Sequence, residues 1–221
     1  MSNQQKTFWE SIWKTDSKEG IWTHELWKEV SPEIVSLIQS QSPDERPDVL
    51  DLGCGLGRNS IAFAQAGFNV TGVDLSSSAI IHTRDWANKL GLRIQTLISD
   101  FDRVAFQPDT FDIVISVNVI YHGYFRQALS TINNIRTYLK TGGLLCFTFP
   151  SKKDGEYGHG KKLEEHTFEF QPGHIHCHVD EHELNNLLKD FKVLYLDKRE
   201  RPWMNDQSRL FSRWHVIAEK I

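Results

Sequence analysis

An excess of basic charge is missing. The 221 residues carry 25 Lys and Arg against 29 Asp and Glu, a net charge of −4, and the basic residues are spread among acids. A dedicated nucleic-acid binder shows a basic face, so no nucleic-acid partner is expected. No apolar run approaches the roughly 18 residues that a membrane helix needs. The start, MSNQQKTFWE, lacks the basic-then-apolar pattern of an export signal. The expectation is a cytoplasmic chain with no membrane partner. Cysteine is scarce: three, at 54, 146 and 177. They have no zinc-finger spacing and read as reduced thiols. Internal repeats and low-complexity segments are also absent. What is present, 39% hydrophobic and 24% charged residues, suffices for a packed core. The length suits one domain with a cap.

Aromatic residues crowd the N-terminus: four of the seven tryptophans fall at 9, 13, 22 and 27. Phe8, Trp9, Ile12 and Trp13 share a face if that segment is helical. The face either docks on the domain body or covers a ligand. Strand and helix then alternate. Strands are predicted over 48–52, 68–73, 92–98, 111–117 and 144–149. Helices are predicted over 56–66, 76–90 with Ser76 or Ser77 as cap, and 124–140 stopped by Thr141-Gly142-Gly143. Phe111–Val117 is almost wholly apolar, as in a strand buried on both faces. This alternation implies an α/β fold with a parallel sheet and helices on both sides. Residues 151–176 lack clear periodicity, and a long excursion of this kind is usually functional. A helix near 180–189 and two closing strands near 191–198 and 209–219, read as an antiparallel pair, end the chain.

The glycine loop Asp51-Leu52-Gly53-Cys54-Gly55-Leu56-Gly57-Arg58-Asn59 joins a strand to a helix. Glycine there permits a tight turn and lets a ligand approach the backbone. The phosphate-loop ending Gly-Lys-Ser/Thr is absent. The dinucleotide fingerprint fails too, because its third glycine would fall on Arg58 or Ser60. Asp74 ends the next strand about 20 residues on, where an acid can take both hydroxyls of a ribose.

Five motifs in order carry a resemblance: DLGCGLGRNS, Val73-Asp74-Leu75-Ser76, Ser99-Asp100-Phe101, Phe111-Asp112-Ile113-Val114 and Leu139-Lys140-Thr141-Gly142-Gly143. Over about 45–150 the chain resembles class I S-adenosylmethionine-dependent methyltransferases. Its tail is similar to a subgroup of small bacterial methyltransferases, some related to tellurite-resistance enzymes. The cues are Gly160, Glu164, Thr167 and Phe168, then His176 and Trp214, although that subgroup would place a histidine before the tryptophan. The resemblance implies a Rossmann-like, seven-stranded, mostly parallel sheet with an antiparallel last strand. It also implies S-adenosylmethionine as cofactor. Gly53, Gly55 and Gly57 would wrap its methionine part, with Asp51 at the amino group and Arg58 near the carboxylate. Asp74, flanked by Leu75, would take the ribose. Asp100 and Phe101 would take the adenine, and Asn118 would stand near the reacting group.

Six of the ten histidines lie at 159, 166, 174, 176, 178 and 182. His174, His176 and His178 would share one face of a strand. They read as a solvated loop edge, as substrate-orienting or basic groups, or as a set able to bind a metal. No metal ligand is assigned at this point. The catalytic candidates are His176 from the subgroup pattern, His122 just after the fourth strand, and Glu164. Tyr121 or an N-terminal tryptophan offers a ring face to a cation. The expected organisation is one methyltransferase unit. It has an aromatic cap over 1–44, a cofactor core over 45–150, a substrate-side insertion over 151–178, and a closing helix and strands over 179–221. The expected activity is methyl transfer to a small-molecule acceptor, with the oligomeric state open. The rival reading is a non-catalytic protein that holds S-adenosylmethionine, or a metal through its histidines.

Overall fold

The computed structural model describes residues 2–14, 29–42, 46–203 and 207–221. The chain runs α1 (Asn3–Trp13), α2 (Pro32–Gln39), β1 (Asp48–Leu52), α3 (Arg58–Gln65), β2 (Asn69–Asp74), α4 (Ser77–Lys89), β3 (Ile94–Ile98), β4 (Phe111–Ser116), α5 (Phe125–Tyr138) and β5 (Leu139–Pro150). Then come β6 (Lys161–Glu164), β7 (Thr167–Gln171), β8 (His174–Cys177), α6 (Glu181–Leu187), β9 (Phe191–Pro202) and β10 (Leu210–Lys220). Seven strands form one sheet in the order β3-β2-β1-β4-β5-β10-β9. Pairing is parallel from β3 to β5, and β10 is antiparallel to both its neighbours. The expected Rossmann-like sheet with its reversed last strand is therefore present.

Alternate residues of the central strands feed two separate cores. Leu50, Leu52 and Val114 pack with Ile132 and Ile135 of α5 and with Leu184 and Leu187 of α6. Val49, Ile113 and Ile115 pack on the other face with Ile34 and Leu37 of α2 and Phe63 of α3. Burial on both faces explains the continuous apolar run in β4. Each such side chain contributes roughly 1.5–3 kcal/mol relative to exposure. Among the described residues no helix is long and apolar enough to cross a membrane.

Two sequence expectations need correction. The helix read over 124–140 stops at Tyr138, because Leu139 is already extended (φ −70°, ψ 139°) and pairs with Phe111. The register then jumps from Phe111–Leu139 to Ile113–Leu144, so the Thr-Gly-Gly segment is a bulge within the strand rather than a loop before it. The aperiodic excursion is a small antiparallel sheet, β6-β7-β8. Its turns use His166 (φ 59°) and Gly173 (φ 87°). The backbone N–H of Cys177 donates to the Tyr121 carbonyl (2.9 Å) and that of Val179 to Pro150 (3.0 Å), fixing this sheet beside the strand ends.

β1 lies between β2 and β4, so the chain leaves it toward one side and later returns on the other. Open α/β sheets bind ligands at such a switch point, beyond the carboxyl ends of the strands. Here α1 spans that end. Its Glu10 carboxylate accepts hydrogen bonds from Ser76 (2.6 Å), Ser77 (3.1 Å) and Ser78 (2.7 Å) at the N-terminus of α4.

Candidate cofactor and acceptor crevice

A crevice of about 780 Å³ opens at the switch point, within the roughly 300–1,000 Å³ usual for ligand pockets. One half is built by the glycine loop and the ends of β2 and β3. The N–H groups of Gly53 (2.7 Å) and Cys54 (2.9 Å) both donate to the Val73 carbonyl, pinning the loop to β2. Gly53 has φ 82°, and a side chain there would collide with Val119. Gly55 has φ 53°, and a Cβ on it would meet Trp13 at 3.3 Å. Bare backbone therefore faces the crevice beneath an aromatic ring.

Asp74 lines this half and accepts N–H bonds from Gly55 (2.9 Å) and Ser76 (2.9 Å), one on each oxygen. Burial outweighs those bonds and raises its pKa to about 6. Asp51 stands below the loop, 2% exposed and bonded to Ser60 Oγ (2.6 Å). Burial lifts its pKa to about 6 as well. Leu75, Arg58, Phe101 and Asn118 also line the crevice, whereas Asp51, Gly57 and Asp100 stand behind its wall. Asp100 is buried, and that burial raises its pKa, with the neighbouring Asp102 charge adding to the effect.

The other half carries the histidines. Asn118 has φ 60°, a left-handed conformation that asparagine tolerates better than most residues. Thr148 holds it, accepting from the Asn118 N–H (2.8 Å) and donating to its side-chain oxygen (3.0 Å). The Asn118 carbonyl is then 3.0 Å from Nε2 of His122. His176 Nδ1 is 2.8 Å from Glu156 Oε2. Glu156 also lies 3.6 Å from Arg213, which pairs with the buried Asp154. Burial holds the His122 and His176 pKa values well below the ordinary range, and neighbouring imidazoles reinforce the shift. Tyr121 lies under Arg213, with the guanidinium 5.7 Å from its ring centroid, and burial pushes its hydroxyl up to about 12.

Among the catalytic candidates, His176 and His122 meet, with ring centroids 4.7 Å apart. Glu164 does not join them and does not line the crevice. It ends β6, two strands from β8, which at about 4.8 Å per strand is roughly 10 Å away. Glu156, which the sequence did not single out, is the carboxylate beside His176. His178 lies with Asp154 and Glu156, its ring centroid 6.3 Å from that of His176, and His122 joins His174 and His176 in a cluster of three. His215 follows Trp214 onto the opposite sheet face, 3.3 Å from Glu33 of α2. Trp9 and Trp13 line the crevice, so the N-terminal aromatic face covers a site rather than only filling a core. Trp22 and Trp27 lie outside the described residues.

A family model described as a methyltransferase domain matches residues 49–143. Over this span the chain is similar to that domain family. The ubiquinone biosynthesis O-methyltransferase of Actinobacillus pleuropneumoniae is 37% identical over 105 residues, 45% of this chain and 44% of that protein. The probable S-adenosyl-L-methionine-dependent methyltransferase TehB of Haemophilus influenzae is 32% identical over 95 residues, 43% of this chain and 33% of that protein. The chain thus matches less than half the length of these two curated relatives. In the crystal structure of Haemophilus TehB the likeness covers 87% of this chain and 63% of that one, with a TM-score of 0.68 and 23% identity. A S-adenosylmethionine-dependent methyltransferase from Methanosarcina mazei matches with a TM-score of 0.72 and 22% identity, over 87% of this chain and 99% of that one. The fold over most of the chain is thus that of these solved methyltransferases. The bare glycine backbone and the carboxylate of Asp74 would fit the amino-acid and ribose parts of S-adenosylmethionine, the molecule in the names of two of these proteins.

Proposed function

We propose that the chain transfers a methyl group from S-adenosylmethionine to a small molecule held in the histidine-lined half of the crevice. The observation that carries this reading is the continuity of one crevice, from Asp74 and the glycine loop to His122 and His176. The names of the curated relatives, both methyltransferases, support the same reaction class.

The bound cofactor supplies an activated methyl on a sulfonium. The chain's own residues bind and orient. Gly53, Gly55 and Gly57 keep the loop open to the methionine part, Asp51 supports the amino end, and Arg58 stands toward its carboxylate. Asp74 accepts from the ribose hydroxyls, with Leu75 against the base. Phe101 lines the place of the adenine, with Asp100 behind it. Asn118, fixed in its left-handed turn, joins the two halves. Methyl transfer is an in-line displacement, so alignment matters most. Orientation is worth about 7–11 kcal/mol, against about 10²–10⁴-fold for a general base. Trp9 and Trp13 of α1, with the β6-β7-β8 sheet, exclude water from the site. His176, oriented by Glu156, and His122 face the acceptor.

The test is conversion of S-adenosylmethionine to S-adenosylhomocysteine across a panel of phenols, catechols, thiols and amines. His176→Ala is expected to lower turnover by at least about tenfold, the low side of acid–base or orienting effects. Affinity for S-adenosylhomocysteine should then change less than turnover. Cofactor binding without turnover on any acceptor would make the chain a binding protein. The reverse split for His176→Ala would place that residue with the cofactor.

A further inference from the structure

We propose that His122, His174 and His176 hold one divalent transition-metal ion in the acceptor half of the crevice, with a coordination position left open for the acceptor. One ligand atom from each lies within 4.8 Å of the other two. A tetrahedral ion with Zn–N bonds of about 2.0–2.1 Å needs nitrogens about 3.4 Å apart, which small side-chain rotations supply.

The hydrogen bonds fix which nitrogens are available. A carbonyl only accepts, so His122 Nε2 carries the proton that meets the Asn118 carbonyl at 3.0 Å. Nδ1 of the neutral ring is then a bare lone pair. Glu156 accepts from His176 Nδ1 at 2.8 Å, which leaves Nε2 bare. Both of these nitrogens, His122 Nδ1 and His176 Nε2, are buried with no hydrogen-bond partner, in residues 6% and 4% exposed. A buried polar atom without a partner calls for a specific explanation, such as an ion. Metal-binding histidines characteristically donate their second N–H to a carbonyl or a carboxylate. His122 and His176 make one of each. His174 is stacked on Phe8 (4.7 Å) and meets the His176 ring at 4.4 Å, closing the third side.

The neighbouring group of Asp154, Glu156 and His178 fits an ion less well. Asp154 is paired with Arg213 and also accepts from the Ser212 N–H (2.8 Å) and the Glu156 N–H (3.0 Å). Glu156 is shared between His176 and Arg213. Those carboxylates are already satisfied. With Arg213 they leave a net charge of −1 behind the three histidines, which favours a cation in front of them.

The use of the ion rests on the methyltransferase reading above. Three neutral ligands and an open position are the pattern of a Lewis-acid site. An acceptor hydroxyl or thiol bound there gives its proton to solvent more readily. Its lone pair forms the bond to the methyl carbon while the carbon–sulfur bond of the sulfonium breaks, the electron pair staying on sulfur. The acceptor class is therefore a phenol, catechol or thiol rather than a quaternising amine.

The experiment uses the chain without an affinity tag, stripped of metal and titrated with Co²⁺ alone. Calorimetry and visible absorption are the readouts. One Co²⁺ per chain is expected, with the intense visible bands of a low-coordinate site. Glu156→Gln should weaken uptake about 10–100-fold, as loss of an outer hydrogen-bond partner does. His174→Ala and His176→Ala should weaken it further, and His178→Ala should leave it in place. No uptake, or uptake that survives His174→Ala and is lost in His178→Ala, overturns the site. His174 is the least buried ligand, so His174→Ala carries the test if His122→Ala fails to fold. S-adenosylhomocysteine calorimetry on the same sample separates the two readings. Cofactor binding without Co²⁺ uptake removes the metal alone. Co²⁺ uptake without cofactor binding removes the methyltransferase reading.

Discussion

Glu10→Gln tests whether α1 is latched over the crevice. The Glu10 carboxylate accepts three serine hydroxyls at the start of α4. Partial burial works against ionisation, but those bonds outweigh it and bring the pKa from 4.5 to about 2. At 1.36 kcal/mol per pKa unit this bounds the latch at about 3 kcal/mol. Solvent around a partly exposed carboxylate cuts the figure to about 1–2 kcal/mol. Loss of charge beside the N-terminus of α4 is included in that sum, being worth about 0.3–1 kcal/mol. Glutamine keeps the shape and one acceptor oxygen but loses the charge. A loss of about 1–2 kcal/mol should speed amide hydrogen exchange in α1 about 5–30-fold. Trp9 and Trp13 line the crevice, so affinity for S-adenosylhomocysteine should fall by no more than that factor. The pKa is depressed in the folded chain. The latch is therefore fully formed above about pH 4.5 and is lost as pH falls toward about 2. Exchange of α1 within twofold of the parent chain would refute the latch.

Other outcomes follow from the same structure. Burial raises Asp51 and Asp74 to about 6, and the ionised form of Asp74 accepts a sugar hydroxyl best. Cofactor affinity should weaken as pH falls through about 6, and a flat profile between pH 5 and 7.5 in calorimetry would contradict this. The same raised values mean that the ionised pair costs folding stability. In the cofactor-free chain their contribution should improve as pH drops from about 6 toward about 4. The three cysteines are free and buried. Burial raises Cys146 and Cys177 to about 12 and Cys54 well above its ordinary value. A thiol reagent at pH 8 should therefore label none in the folded chain and all three after denaturation. Rapid labelling of even one in the folded state would show that it is accessible.

The glycine-loop half of the crevice was legible in the sequence because its signals are local. A strand, a glycine turn, a helix and an acid at the end of the next strand follow one another within about 25 residues. The buried strand β4 was legible for the same reason, since its continuous apolar run needs no partner to be recognised. The small sheet over 161–177 was not. Its strands are four or five residues long, and the buried faces carry His176 and Thr167, which a hydrophobic pattern scores as polar. Pro172-Gly173 was the missed hairpin signal. The histidine-lined half depends on contacts that no spacing reports. Glu156 reaches His176 across 20 residues, and Arg213 reaches Asp154 across 59. Strand alternation correctly joined His174 to His176. It could not see His122, which follows β4 and joins those two. Glu10 met the serines of α4 in the same hidden way, across 66 to 68 positions.

Calorimetric titration of S-adenosylhomocysteine into the parent chain and Asp74→Ala is the most direct measurement of the whole account. Charge-assisted hydrogen bonds are worth about 1.5–3 kcal/mol, so the parent should bind one equivalent and the variant should bind more than about tenfold more weakly. Its melting curve should show that it remains folded. Equal affinity in both chains, or no binding by the parent, would contradict the assignment of the crevice to this cofactor.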